Sequence, residues 1–308
     1  MTPPESGGQV CVVGSVNVDT TLLLPTLPHP GETRLATARH RSHGGKGANQ
    51  AVAAATLGSA VTLVAAVGDD VDGHAEREHL RSRAVDVSGV QTAPKAPTGT
   101  AIILVANDSE NVIVVDPGAN AELDPAWVRG QVSRLDAAVT TAQLEVPLPC
   151  LVVAAQAART GYFVVNPAPM IADPAELAPV LKLTDILVPN RSELGHLVGQ
   201  REPASLAEVD QYAAKLAFPG TLVVTLGSEG AAVYVPQGSE RIAHMPAAPV
   251  KAKDTSGAGD VFCGVMADRL ARGDSILDAV EQATSLAGLS TTLLGAQIPP
   301  AFPTHAQP

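Results

Sequence analysis

Residues 253–264 read KDTSGAGDVFCG, a stretch that joins small residues, a carboxylate and the start of a helix in one short segment. Gly257, Ala258 and Gly259 put little bulk over their backbone N–H groups, and the VFCGVMADRL that follows has the composition of a packed helix. A helix start left bare in this way presents unpaired N–H groups and the positive end of a dipole, which together suit an anion. Asp260 sets a negative charge where that anion would sit. Two readings follow: the carboxylate is an N-cap that accepts from its own helix, or it works on a substrate beside a bound anion.

A second glycine turn, HGGKGANQA (43–51), sets Gly44, Gly45 and Gly47 around Lys46 ahead of a helix. Here Gly-Lys is followed by Gly, where a Walker A loop needs Ser or Thr, and GSEG and GAGDVF lack the GxGxxG spacing of a dinucleotide turn. The turn is either a plain strand-to-helix connection or a close backbone approach to a small polar ligand, with Lys46 and Asn49 as donors. Asn17 and Asp19 lie two apart, so in extended chain they face the same way. A carboxylate beside an amide suits a polyol, and the same pair also suits a turn. Glu145 closes an apolar run. Asn190 and Glu193 share one helix face, where they could orient water or Mg²⁺ at a phosphate or simply form a capping box.

These residues need elements to position them. Short apolar runs at 10–16, 61–68, 137–144, 162–167, 185–190 and 221–227 alternate with helical patterns at 48–58, 72–84, 147–160 and 205–217. That alternation predicts an α/β fold with a doubly wound, mostly parallel sheet covered on both faces, and sites at the carboxyl ends of its strands. Two stretches break the rhythm. Residues 98–116 form two β-rich runs around the turn NDSE, and 18–41 is extended and interrupted by proline. They predict a small β-sheet lid, with 17–41 and 96–120 in the lid and 1–16, 42–95 and 121–308 in the core. Within the hairpin, Ile102 and Leu104 point one way and Ile103 and Val105 the other, so neither face suits water. One face could cover a ligand while the other takes a partner chain, or the hairpin folds back on the main core.

Composition narrows the classes. With 308 residues, 45% of them hydrophobic, the chain can bury a large core, and its formal net charge of −11 argues against a general nucleic-acid surface. The N-terminus has neither a basic region nor an apolar stretch, and no apolar run reaches membrane length, so a soluble, unexported, cytoplasmic chain is expected. Cys11, Cys150 and Cys263 are scattered in apolar surroundings, which suits buried reduced thiols.

Taken together, GSVNVD, GGKGANQA, TLGSEGA and above all KDTSGAGDVF resemble the PfkB carbohydrate kinase family, in family order over nearly the whole chain. TGTAIILV, ENVIVVDPGAN, QLEVPL and NPAP are similar to the members of that family that phosphorylate ribose. The resemblance implies an ATP-dependent sugar kinase acting at the 5-hydroxyl of D-ribose, as a homodimer through the lid. It implies Asp260 as the catalytic base beside an anion hole at Gly257, Ala258 and Gly259. It implies a sugar site of Asn17, Asp19, Gly45, Lys46, Asn49 and Glu145, and an ATP site of Asn190, Thr225, Gly227, Ser228, Gly230 and Gly259. Asn190 and Glu193 would organise Mg²⁺ through phosphate or water, and Asp254, Ser256, Ser290, Leu293 and Gly295 would surround K⁺. One departure is the run IPPAFP after LGAQ, which sets Pro299 where a hydroxyl residue near the cation is usual. A nucleoside substrate would call for aromatic walls, yet aromatic residues make up only 3% of the chain. A sugar phosphate would call for a basic clamp, and 98–116 holds no Lys or Arg, although Arg34, Arg39 and Arg41 lie nearby in sequence. A sugar sensor without activity is the remaining alternative, against which the intact Lys46, Gly257, Gly259 and Asp260 stand.

Overall fold

The computed structural model describes residues 8–108, 110–158, 160–236 and 241–303. Residues 1–7 and 304–308 of the expected core, and Ser109 of the NDSE turn, lie outside the described residues. The chain opens with β1 (Gln9–Val13), β2 (Asn17–Leu24), β3 (Ala38–Gly44), α1 (Lys46–Thr56), β4 (Ala60–Gly68) and α2 (Val71–Ser82). It continues through β5 (Val85–Asp86), β6 (Val90–Ala93), β7 (Gly99–Ala106), β8 (Asn111–Asp116), α3 (Pro125–Val132), β9 (Val139–Gln143), α4 (Leu148–Ala157) and β10 (Tyr162–Asn166). Next come α5 (Ala178–Leu181), β11 (Ile186–Leu187), α6 (Arg191–Leu197), α7 (Leu206–Leu216) and β12 (Thr221–Thr225). The last elements are β13 (Ala231–Tyr234), β14 (Arg241–Met245), α8 (Ala258–Ala271) and α9 (Ile276–Ser290).

The main sheet has the order β14-β13-β12-β11-β10-β9-β1-β4-β5, with β6 also paired to β4. Its pairs from β12 through β1 to β5 are parallel, and β13 and β14 add an antiparallel edge. This is the doubly wound α/β fold that the sequence predicts. Period-two burial separates the two cores: Val10, Val12, Leu63 and Ala65 pack under α1, α8 and α9, while Cys11, Val13, Val64 and Ala66 pack under α3, α4 and α7. All three cysteines are buried free thiols. Among the described residues no helix is long and apolar enough to cross a membrane.

β2, β3, β7 and β8 form a separate four-stranded sheet, order β3-β2-β7-β8. Asn17 and Asp19 therefore open a strand of this second sheet. The sequence run 10–16 places them at the end of the first strand, but β1 stops at Val13, where the Gly14 N–H turns to the Val64 carbonyl. β3 runs to Gly44, past the expected boundary at 41, because its ladder to β2 continues through Asn17↔Gly44. Register resolves the faces. Asp19 lies beside Ala101, and Ala101 opposite Val115, so these share one face with Ile103; Ile102 opposite Val114, with Leu104, takes the other.

Helix α1 is built for close approach. Its sequence KGANQAVAAAT is rich in alanine, which favours helix and leaves a shallow surface. α8 packs on that surface through Gly264, where an added Cβ would come within 2.6 Å of both the Ala53 Cβ and the Gln50 carbonyl oxygen. Ala53 follows Asn49 by one turn, and Gly264 follows Asp260 by one turn. The small pair lets the polar pair meet.

Candidate active site

Asp260 does not cap its own helix. The N-cap of α8 is Gly257, in the left-handed region at φ 70°, and no side chain caps it. The Asp260 carboxylate turns sideways to α1: Oδ2 accepts from Asn49 Nδ2 at 3.0 Å and Oδ1 from Gln50 Nε2 at 3.2 Å. Of the two readings left open by the sequence, the cap is the one the geometry rejects. Gln50, which the sequence reading passed over inside GANQA, is braced in turn: its Oε1 accepts from Gln143 Nε2 at 2.6 Å and from the Thr141 hydroxyl at 3.2 Å, both on β9. The carboxylate thus sits in a fixed plane, buried, with lone pairs left over for a substrate hydroxyl. The first-turn N–H groups of α8 have no partner within their own helix, and that of Ala258 donates to the Thr255 carbonyl at 3.3 Å.

A cavity of about 210 Å³ lies over this helix start, lined by Lys46, Asn166, Asn190, Glu193, Thr225, Thr255, Gly257, Ala258, Gly259, Asp260 and neighbouring apolar atoms. It collects residues from the carboxyl ends of β10, β11 and β12, as the fold class requires. Asn190 and Glu193 do form the capping box: Asn190 Oδ1 accepts from the Glu193 N–H at 2.8 Å, and Glu193 Oε2 accepts from the Asn190 N–H at 2.8 Å. Asn190 Nδ2 also donates to Glu193 Oε1 at 2.9 Å. Burial raises the Glu193 carboxyl above its ordinary value against the Asn190 bond and Lys46. Lys46 is pushed up chiefly by Asp260, with Glu145 and Glu193 adding to it and burial opposing, so it stays charged.

A second cavity, about 360 Å³, is lined by Asn17, Val115, Pro117, Asn120 and Ala121 from the second sheet and its exit, and by Leu144, Glu145, Val146, Pro147 and Pro169 from the core. Glu145 and Lys46 join the two cavities: the Lys46 backbone N–H donates to Glu145 Oε2 at 3.0 Å, and the Ser15 hydroxyl donates to the same oxygen. Asn17 is held by Asn120, whose Nδ2 donates to Asn17 Oδ1 at 2.8 Å and whose Oδ1 accepts the Val16 N–H at 2.9 Å. Asn120 lies in the PGAN stretch, but its bond spans 103 residues and nothing local announces it. Asp19 has a buried Oδ1 with no partner, and its carboxyl is raised to about 7 by burial first and then by Glu145, Glu76 and Asp260.

Other expected positions fall less centrally. Asp19, Gly45 and Asn49 line neither cavity, although Gly45 leaves no room for a side chain, since an added Cβ would come within 2.7 Å of the Asn17 nitrogen. Gly227, Ser228 and Gly230 lie in the turn after β12, outside both cavities, with only Thr225 lining one. Asp254 ties two loops together, its Oδ1 accepting from the Ser256 N–H at 2.9 Å and its Oδ2 from the Gly295 N–H at 2.8 Å. Burial pushes its carboxyl up, and these bonds outweigh burial to leave it below the ordinary range. The Ser290 hydroxyl is spent on the Ala287 carbonyl of its own helix at 2.8 Å, and the Ser290 carbonyl accepts from Leu293.

A fixed carboxylate beside an open helix start, with a mostly apolar cavity carrying Asn17, Asn120 and Glu145 on the far side of a shared wall, makes this a small-molecule phosphotransferase of the doubly wound α/β class. The pfkB carbohydrate kinase family matches residues 8–304, and the chain belongs to that family. Ribokinase of Schizosaccharomyces pombe is 35% identical over 93% of this chain and 93% of its own length. The solved structure of ribokinase from Giardia lamblia superposes with a TM-score of 0.85 at 29% identity, covering 94% of this chain and 95% of that one. That of Arabidopsis thaliana ribokinase complexed with ribose and ATP gives 0.81 at 29% identity, covering 96% and 95%.

Proposed function

We propose that the chain transfers the γ-phosphate of ATP to the 5-hydroxyl of D-ribose, giving ribose 5-phosphate and ADP. The observation that carries this is the wall of Glu145 and Lys46: a polyol-sized cavity on one side, and on the other a helix start whose cavity is lined by Lys46 and Asp260. Asn17, Asp19 and Glu145 would take the sugar hydroxyls, with Asn49 beside them. Asp260 accepts the proton of the reacting hydroxyl as its oxygen bonds to phosphorus. The N–H groups of Gly257, Ala258 and Gly259, with Lys46, stabilise charge on the equatorial oxygens. The second sheet, through Val115 and Pro117, closes over the sugar cavity as a lid. ADP formation measured against D-ribose, 2-deoxyribose, hexoses, hexose phosphates, nucleosides and no sugar tests the reading. Ribose-dependent turnover is expected; a nucleoside preference, or sugar-independent hydrolysis alone, overturns it.

The phosphate cavity fits Mg²⁺ brought by ATP. Lys46 faces two carboxylates there, Asp260 and Glu193, so an entering polyphosphate needs a further cation. Both Glu193 oxygens already bond to Asn190, which suits a hold on Mg²⁺ through water or phosphate. When bound, the ion neutralises phosphate charge.

The family resemblance puts a large monovalent cation, held by backbone carbonyls, at the loops joined by Asp254, with Ser256, Leu293 and Gly295 beside it. Such an ion would order the segment carrying Gly257 to Asp260 without touching substrate. If Pro299 takes the usual place of a hydroxyl residue, the site lacks that ligand. Potassium is expected to raise the rate several-fold over sodium, with weak affinity; initial rates at fixed ionic strength in potassium, sodium or a bulky organic cation check this, and equal rates in all three overturn it.

The lid also carries the proposed dimer. Ile113 and Val114, on opposite faces of β8, are 54% and 60% exposed, and Ile102 is 37% exposed. An edge hairpin this apolar is suited to burial against a second copy. Sedimentation at micromolar concentration is expected to show a dimer for the wild type and a monomer for Ile113→Asp/Val114→Asp, and a wild-type monomer refutes it.

A further inference from the structure

The group that orients Asn49 stands outside both cavities. Asn49 Oδ1 accepts from Gln297 Nε2 at 3.1 Å, and Gln297 Oε1 meets His79 Nε2 at 2.7 Å. The direction of every bond in this chain is set from one end. A carboxylate only accepts, so Asn49 must turn its Nδ2 to Asp260 and its Oδ1 away; Gln297 must then donate with Nε2 and accept with Oε1; His79 must carry a proton on Nε2. Burial pushes the His79 imidazole below its ordinary value, with His43 and Arg83 adding to this and the Gln297 bond opposing. A neutral ring has one N–H, and its place is this bond.

The chain is anchored from α2. The His79 ring stacks on His43 of β3, centroids 3.5 Å apart and planes within 7°, and His43 Nδ1 lies 2.8 Å from Oε1 of the buried Glu76. One turn beyond His79, Arg83 Nη2 donates to the Ile298 carbonyl at 2.5 Å and to the Thr56 hydroxyl at 3.2 Å. The segment after α9 is therefore pinned to α2 and its C-cap, by His79 at Gln297 and by Arg83 at Ile298.

We propose that Gln297 and His79 are positioning residues for phosphoryl transfer, acting through the hydrogen-bond chain His79→Gln297→Asn49→Asp260. The chain keeps the Asn49 NH₂ toward the base, and so keeps the carboxylate aimed at the sugar hydroxyl. Without it, the Asn49 amide gains a second orientation that sets oxygen against oxygen at Asp260. The proposal rests on the reading of Asp260 as the base of a sugar kinase.

His79→Phe keeps a flat ring on His43 and removes the N–H; His79→Gln loses the ring and restores an N–H at the place of Nε2. His79→Phe is expected to lower kcat on ribose by about three- to tenfold, the worth of one net hydrogen bond. His79→Gln recovers most of that loss, and adding Gln297→Leu to His79→Phe costs little more than the worse single change. A role in packing alone would reverse the order of Phe and Gln. Phe at wild-type rate, or Gln as slow as Phe, overturns the proposal. The side-chain amide ¹⁵N–¹H signals of Asn49 and Gln297 read the same chain without substrate: both move in His79→Phe and return in His79→Gln. Unmoved signals overturn the chain, whereas moved signals in a wild type inactive on every sugar uphold the chain and overturn the kinase reading.

Discussion

Asp260→Asn retains the fold and sugar binding and loses about a hundred- to ten-thousand-fold in turnover. The side chain keeps its shape and place but no longer accepts a proton at neutral pH. The substitution also carries a structural cost, since both carboxylate oxygens now accept N–H bonds, from Asn49 and Gln50, and an amide can accept on only one side. One donor of the pair must turn or go unpaired, a loss of about 1–3 kcal/mol in a buried site. Thermal denaturation should therefore show a lowered midpoint with a cooperative transition, and calorimetric titration should still show ribose binding. Turnover within a few-fold of wild type in a folded variant would remove Asp260 from the chemistry and leave it a brace between α1 and α8.

The second large effect is expected at Gly257→Ala. The residue sits at φ 70°, and an added Cβ would come within 2.4 Å of the Ala296 carbonyl oxygen, which is backbone and cannot swing aside. Entering the left-handed region costs an alanine about 1–2 kcal/mol, and the collision must in addition displace the loop that aims the N–H groups. Loss of that aim is expected to lower turnover about a hundred- to thousand-fold, the scale of removing one donor from an oxyanion site. Gly259→Ala is the matched control for stability, because an added Cβ at Gly259 meets nothing within 4 Å. Denaturation midpoints and ribose-dependent ADP formation compared across the pair decide the matter. If the alanine at 257 is no more harmful to stability than the one at 259, the close contact with Ala296 does not constrain the loop.

Much of this protein is determined within short windows of sequence. Alternating apolar runs and helical patterns specify the parallel sheet, because burial on both strand faces and helix periodicity are properties of consecutive residues. The capping box at Asn190 and Glu193, the glycine-started helix at 257 and the hairpin at 98–116 are legible for the same reason, each being an interaction across three to eighteen residues. The resemblance carried by KDTSGAGDVF and GGKGANQA marks both loops of the site. Local sequence left the role of Asp260 open, since an aspartate in the first turn of a helix is consistent with a cap or a base. Only the packing of α8 on α1 through Gly264 and Ala53 removes the cap reading, by bringing Asn49 to a residue 211 positions away. Gln297 reaches Asn49 across 248 positions, and Asn120 reaches Asn17 across 103. Such bonds leave no period or cap in the chain, because their partners share no local backbone geometry and meet only when the sheet twist and helix packing have been set.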